Sequence, residues 1–172
     1  NVDLPDQSVI LPEFQAQLQR FVNREIYEQE QTLLARIEQR PSMSSINRLG
    51  VLYARYGMTD RALEQFERAL EIQEYGPSLV NIGNLHYLSG DLEQAVRYYE
   101  RASDAAPDNG AVLLAVARAN FELENYGTVT RFYDRLLRTD PELANRFSYL
   151  SPNADISTRA SDAAQMSGLV VW

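Results

Sequence analysis

The 172-residue chain has no cysteine and no lysine, and carries one histidine and one tryptophan. Without cysteine there is no disulfide, no thiolate metal site and no cysteine nucleophile, and the redox compartment stays open. Without lysine all 16 basic side chains are arginine; genomic base composition explains this more simply than a preference for forked hydrogen-bond donors. No run of 18 apolar residues occurs, which excludes a helical membrane span. The 24 acidic residues leave a formal charge of -8, and an acidic surface repels phosphate, so nucleic acid is not an expected partner. No glycine-rich phosphate loop, paired metal-ligand spacing or nucleophile elbow is present, so neither a cofactor nor a metal is expected and catalytic residues are assigned to none of the positions. Glu64 and Glu67, and Glu71 and Glu74, read as solvated charge on outward helical faces. The chain opens at Asn1 rather than methionine. We therefore expect a processed or excised fragment, with any targeting sequence outside it and localisation unassigned.

What is present is a repeat. Gly50, Gly83 and Ala117 are followed seven residues later by Gly57, Gly90 and Glu124, and five further on by Ala62, Ala95 and Val129. Phe66, Tyr99 and Tyr133 come next, then Ala69, Ala102 and Leu136, and Pro107 and Pro141 close the second and third copies. In the second copy Leu79, Ile82 and Leu85, then Val96, Tyr99 and Ala102, recur at spacings of three and four, one face of each of two helices. Gly90 suits a left-handed helix end and Asp91 suits the start of the next helix. Ala62 and Ala95 fall where paired helices cross. Neither helix pair can bury its face alone, so the copies must stack. A content of 45% hydrophobic residues, with 10 tyrosines and 6 phenylalanines, can fill such a core.

The segments Leu49–Leu70, LGVLYARYGMTDRALEQFERAL, and Ile82–Asn109, IGNLHYLSGDLEQAVRYYERASDAAPDN, resemble the tetratricopeptide repeat family. The third copy departs at Asn120, Glu124 and Val129, and the first lacks a closing proline. The likeness covers roughly residues 43 to 143. It implies an all-α chain, an α-solenoid of antiparallel helix pairs in about three repeats with a helical cap at each end. The corresponding divisions are 1–42 for an N-terminal helical cap or degenerate repeat, 43–75, 76–109 and 110–143 for the repeats, and 144–172 for a C-terminal capping helix and tail. His86 takes the position held by Tyr53 one copy earlier and is read as a core residue.

Outside the repeats, residues 12 to 40 read as helix, with Pro12 in the first turn and Phe14, Leu18, Phe21, Leu33, Leu34 and Ile37 as an interrupted stripe. A short helix is expected from about Glu142 to Leu150, and one more around Ile156 to Met166. Leu169, Val170, Val171 and Trp172 make an exposed apolar tail if nothing receives them. A tail docked in its own groove or on a neighbour is one reading. The simpler one is an element cut from its partner.

The family resemblance also implies a concave channel lined by the first helix of each pair. Carried onto this sequence, it selects Asn47, Arg48, Val51 and Arg55, then Asn81, Asn84, Tyr87 and Leu88, then Arg118 and Phe121. The asparagines would grip the main chain of an extended peptide. The arginines would pair carboxylates, and the apolar residues would seat anchors. Ala111 and Ala115 stand where relatives that clamp acidic chaperone tails carry basic residues, so that role is not supported. The resulting expectation is a non-enzymatic scaffold that binds an extended or helical segment of a protein partner in its groove. The alternative is a structural homo-oligomerising or spacer module of a larger protein, self-occupied or joined through Leu169, Val170, Val171 and Trp172.

Overall fold

The computed structural model describes residues 7–154, 162–165, 170 and 172, apart from the side chains of residues 7–11, 18, 19 and 23. Among them the elements are α1 Gln7–Gln39, α2 Met43–Arg55, α3 Thr59–Ile72, α4 Gly76–Ser89, α5 Leu92–Ala105, α6 Gly110–Glu122, α7 Tyr126–Thr139, α8 Pro141–Arg146 and a 3-10 turn Ser148–Leu150. Helices α2 and α3, α4 and α5, and α6 and α7 pair tightly, each pair packs on the next, and α2, α4 and α6 also touch one another. The chain is an α-solenoid.

Local chemistry places the helix ends. Ser42, Asp91, Asn109 and Asp140 accept the amides of Ser45, Gln94, Val112 and Leu143 at 3.2, 3.3, 3.2 and 2.9 Å, which satisfies donors that the first turn leaves open. Between the paired helices the backbone turns left-handed, at Gly57 (φ 72°), Gly90 (φ 83°) and Glu124 (φ 59°). The third copy therefore keeps the turn although it lacks the glycine that makes it inexpensive.

Inside the first two pairs, closeness depends on a missing side chain. A Cβ on Gly50 would stand 2.5 Å from the Phe66 ring, and one on Gly83 would stand 2.5 Å from Tyr99. Each ring thus lies against the backbone of the facing helix, and Ala62, Ala69, Ala95 and Ala102 are fully buried around it. The third copy buries Ala117 at the equivalent position. Its Tyr133 sends the hydroxyl to the Ala144 carbonyl at 3.1 Å, whereas Tyr99 donates to Asn84 at 2.8 Å.

At the N-terminal end a single 33-residue helix, α1, covers the first pair. Pro12 lies within it rather than in its first turn. Ile26 and Ile37, three turns apart on one face, are buried against α2, with Val22 and Leu33 beside them. The expected stripe was partly misplaced: Phe14, Phe21 and Leu34 are 60%, 51% and 38% exposed, because helical spacing puts Phe14 and Phe21 on the far side from the face that Ile26 and Ile37 define, and Leu34 beside it. The Leu18 side chain lies outside the described residues. A polar clamp fixes α1 in place, with the Tyr53 hydroxyl donating to Glu30 at 2.7 Å and the Arg61 guanidinium 3.9 Å above the Tyr53 ring while pairing with Glu30.

At the other end, the helix expected from about Glu142 to Leu150 is broken. Phe147 leaves helical geometry (φ -117°, ψ 38°), so Phe147, Tyr149 and Leu150 can turn inward and cover the third pair. Of the helix expected around Ile156 to Met166, residues 162–165 are helical and the remainder lies outside the described residues.

Two substitutions test this account. Gly83→Ala gains helix propensity but drives a methyl into the Tyr99 ring, and overpacking prevails; a loss of about 1–3 kcal/mol is expected by urea denaturation. Glu124→Gly relieves a left-handed non-glycine residue at an exposed turn, and a gain of about 1 kcal/mol is expected in the same assay.

Candidate functional site

Helices α2, α4 and α6 line a concave groove, because their second-helix partners stand behind them. Its main cavity, about 550 Å³, is walled by Gln29 and Leu33 of α1, Arg48, Val51 and Arg55 of α2, Pro77, Val80 and Asn81 of α4, and Ala111 and Val112 of α6. This is the size of a small-ligand or peptide-anchor site. Trp172 forms part of the same wall and packs, half-buried, against the core around α1 and α2. Farther along, a remnant of about 20 Å³ lies among Val80, Asn84, Tyr87, Leu114, Arg118 and Val170. Two of the four tail residues are thus received by the chain's own groove, while Leu169 and Val171 lie outside the described residues.

The structure sorts the sequence-selected residues into two sets. Arg48 and Arg55, with Val51 between them, face the main cavity. Both arginines are exposed, and neither makes an ion pair among the described residues. They stand seven residues apart, hence about 10 Å along one face of α2. The asparagines lie deeper. Asn47 Oδ1 accepts from Ser78 Oγ and from Asn81 Nδ2, both at 3.0 Å, so a polar ladder joins the first copy to the second. Asn84 is buried beneath, holding the Tyr99 hydroxyl.

Arg118 is only 6% exposed, with its guanidinium 5.2 Å from the Tyr87 ring centre and 5.5 Å from that of Phe147. It also lies 3.5 Å from the Tyr87 hydroxyl as a donor. Phe121 is half-buried and meets Tyr126 and Tyr149 edge-on. Leu88 is 49% exposed and lines neither cavity. Sequence reasoning did not place Gln29 and Leu33 in the groove, because α1 lies outside the repeat pattern that selected the rest.

His86 is not the core residue expected. Its side chain is 28% exposed, stacks on Tyr98 at 5.5 Å between ring centres, and sets Nδ1 3.5 Å from Asp91. A buried imidazole would need two polar partners, and at the rim of α4 water supplies what the core would not. Tyr53 and Asn120, at the corresponding positions, are buried. Glu64, Glu67, Glu71 and Glu74 are exposed, as read from the sequence. Among the described residues no acidic, histidine or cysteine cluster could hold a metal, and no helix is long and apolar enough to cross a membrane.

A stack of helix pairs around a concave face defines a helical-repeat protein of the kind that presents a surface rather than a reaction centre. Tetratricopeptide repeat models match residues 44–75 and 86–150, and the chain belongs to the tetratricopeptide repeat family. Over 93 residues, 54% of the chain, it is 27% identical to the BBSome complex member BBS4 of Bos taurus. It is 25% identical over 92 residues to tetratricopeptide repeat protein 8 of Mus musculus. Each match spans 18% of the relative's length. Among solved structures, a tetratricopeptide repeat protein from Parabacteroides merdae superposes with a TM-score of 0.63 at 17% identity, covering 87% of this chain and 64% of the other. MamA (AMB-1) superposes with a TM-score of 0.56 at 18% identity, covering 92% of this chain and 88% of the other. These likenesses establish the fold. The family and its fold serve generally as non-enzymatic scaffolds of protein–protein interaction.

Five buried tyrosines give the protein an alkaline limit. Burial raises the phenols of Tyr53, Tyr99, Tyr133 and Tyr149, and pushes Tyr87 up to about 12 although Arg118 opposes the rise. The folded state thus holds these protons more tightly than the unfolded chain, whose phenols ionise near 10.0. Their stabilisation is complete below that pH and is lost as pH rises toward the folded values. Thermal melts should be insensitive to these groups from neutrality to about pH 9. Above about pH 10 the melting temperature should fall steeply, with phenolate absorbance appearing together with unfolding.

Proposed function

We propose that the chain binds a segment of a protein partner in its concave groove, and that it does so without catalysis. The observation that carries this reading is the 550 Å³ cavity with Leu33, Val51 and Val80 on its walls and, on its lip, Arg48 and Arg55, which make no ion pair among the described residues. An apolar recess seats an anchor side chain, while two guanidinium groups on one helix face favour carboxylates beside that anchor. The expected ligand is an extended or helical segment with a bulky apolar residue and acidic neighbours. Because the helix stack is already ordered, binding costs little beyond ordering the ligand, and micromolar affinity, about -8 kcal/mol, is the expected scale. The similarity to a BBSome complex member supports a place in a protein assembly.

A random peptide library panned over the folded chain tests this reading. Because Trp172 lies in the groove, a Trp172→Ala chain is panned in parallel. Sequences pairing an aromatic or large aliphatic residue with Asp or Glu should be enriched. An Arg48→Glu, Arg55→Glu variant should bind them at least tenfold more weakly with an unchanged circular dichroism spectrum. Failure to enrich any sequence on either chain, or equal binding by the charge-reversed variant, would overturn the proposal.

A further inference from the structure

Two residues of the apolar segment that ends the sequence, Val170 and Trp172, are half-buried rather than exposed. Val170 packs against the second and third copies, and Trp172 against the core around α1 and α2. They are two residues apart. One lies in each cavity of the groove, and the two cavities adjoin at Val80 and Ala111, which line both. At Val170 the remaining space is about 20 Å³, hardly more than a water molecule needs. At Trp172 about 550 Å³ remains. The groove is therefore filled at one end and open at the other.

We propose that the segment carrying Val170 and Trp172 is a built-in occupant of the groove, which a partner segment anchored by an aromatic side chain must displace. This rests on groove binding itself and adds its regulation. The recesses that hold Trp172 and Val170 also describe the partner: an aromatic ring in the cavity lined by Leu33, Val51 and Leu52, preceded two residues earlier by a β-branched side chain in the cavity lined by Val80 and Leu114. Arg48 and Arg55 lie beside the ring's site and have no ion-pair partner among the described residues. An incoming segment with acidic flanks therefore gains contacts that Val170 and Trp172 do not make. Because the tail is tethered, it acts as a competitor at high effective concentration, and only a ligand with such added contacts displaces it readily.

Trp172 is the only tryptophan, so its fluorescence reports the occupant directly. In the native chain its emission should lie to the blue of that from a synthetic peptide of residues 167–172, and acrylamide should quench it at least twofold less. Val51→Asp should move both readings toward those of the free peptide. An acidic, tryptophan-free peptide from the library should do the same on titration, without any change to the protein. A fluorescein-labelled peptide of residues 167–172 should bind a folded Val170→Ser, Trp172→Ala chain at least tenfold more tightly than the native chain. Native emission matching the free peptide would overturn the inference, as would equal affinity of the labelled peptide for the two chains. Either result would leave groove binding standing, whereas the absence of any library binder is the failure of groove binding.

Discussion

Everything in this chain depends on how closely two helices of a pair can approach, and the limit is set by an aromatic ring lying on a backbone that carries no side chain. Phe66 over Gly50 and Tyr99 over Gly83 bring the first two pairs together, and the small Ala117 stands at the same place in the third. Once paired, the helices leave apolar faces that only the next pair can cover, and the stack follows. The groove is a by-product of this geometry. First helices touch first helices along the inner side, second helices stand behind them, and the inner surface is concave.

Such a surface favours recognition over chemistry. Its polar groups are largely committed to holding the array together: Asn47 to Ser78 and Asn81, Asn84 to Tyr99, and Arg118 against Tyr87 and Phe147. What remains available on α2 is a pair of arginines around a valine. A scaffold divides its inner residues in this way because buried polar groups must be satisfied by the protein itself, while those at the lip can await a ligand.

The fold was legible in the sequence because its determinants are local and recur: small residue, turn residue, ring and proline at constant offsets. The left-handed turn at Glu124 was not read from the sequence, where Glu124 counted only as a departure from the loop glycine. The groove was legible only as a list of positions. Depth within it depends on neighbouring copies, so Asn47 and Arg118, which look like surface groups in sequence, are buried, and Leu88 stands outside both cavities. His86 was misread because repeat position alone does not say whether a ring faces the core or its rim. The α1 contributions to the groove were hidden for a different reason: a cap has no second copy, so the repeat pattern cannot place Gln29 or Leu33 on the concave face.

The ladder of Asn47, Ser78 and Asn81 has a consequence for assembly of the array. Apolar faces built on similar repeats are nearly interchangeable, so one pair could slide along the next by a helical turn and still bury hydrocarbon. Sliding would leave an amide oxygen, an amide nitrogen and a hydroxyl in a dry interface with no partners, at a cost of about 1–3 kcal/mol for each. Three small polar side chains therefore act as an index mark, admitting one alignment of the first two copies among several that hydrophobic contact alone would accept.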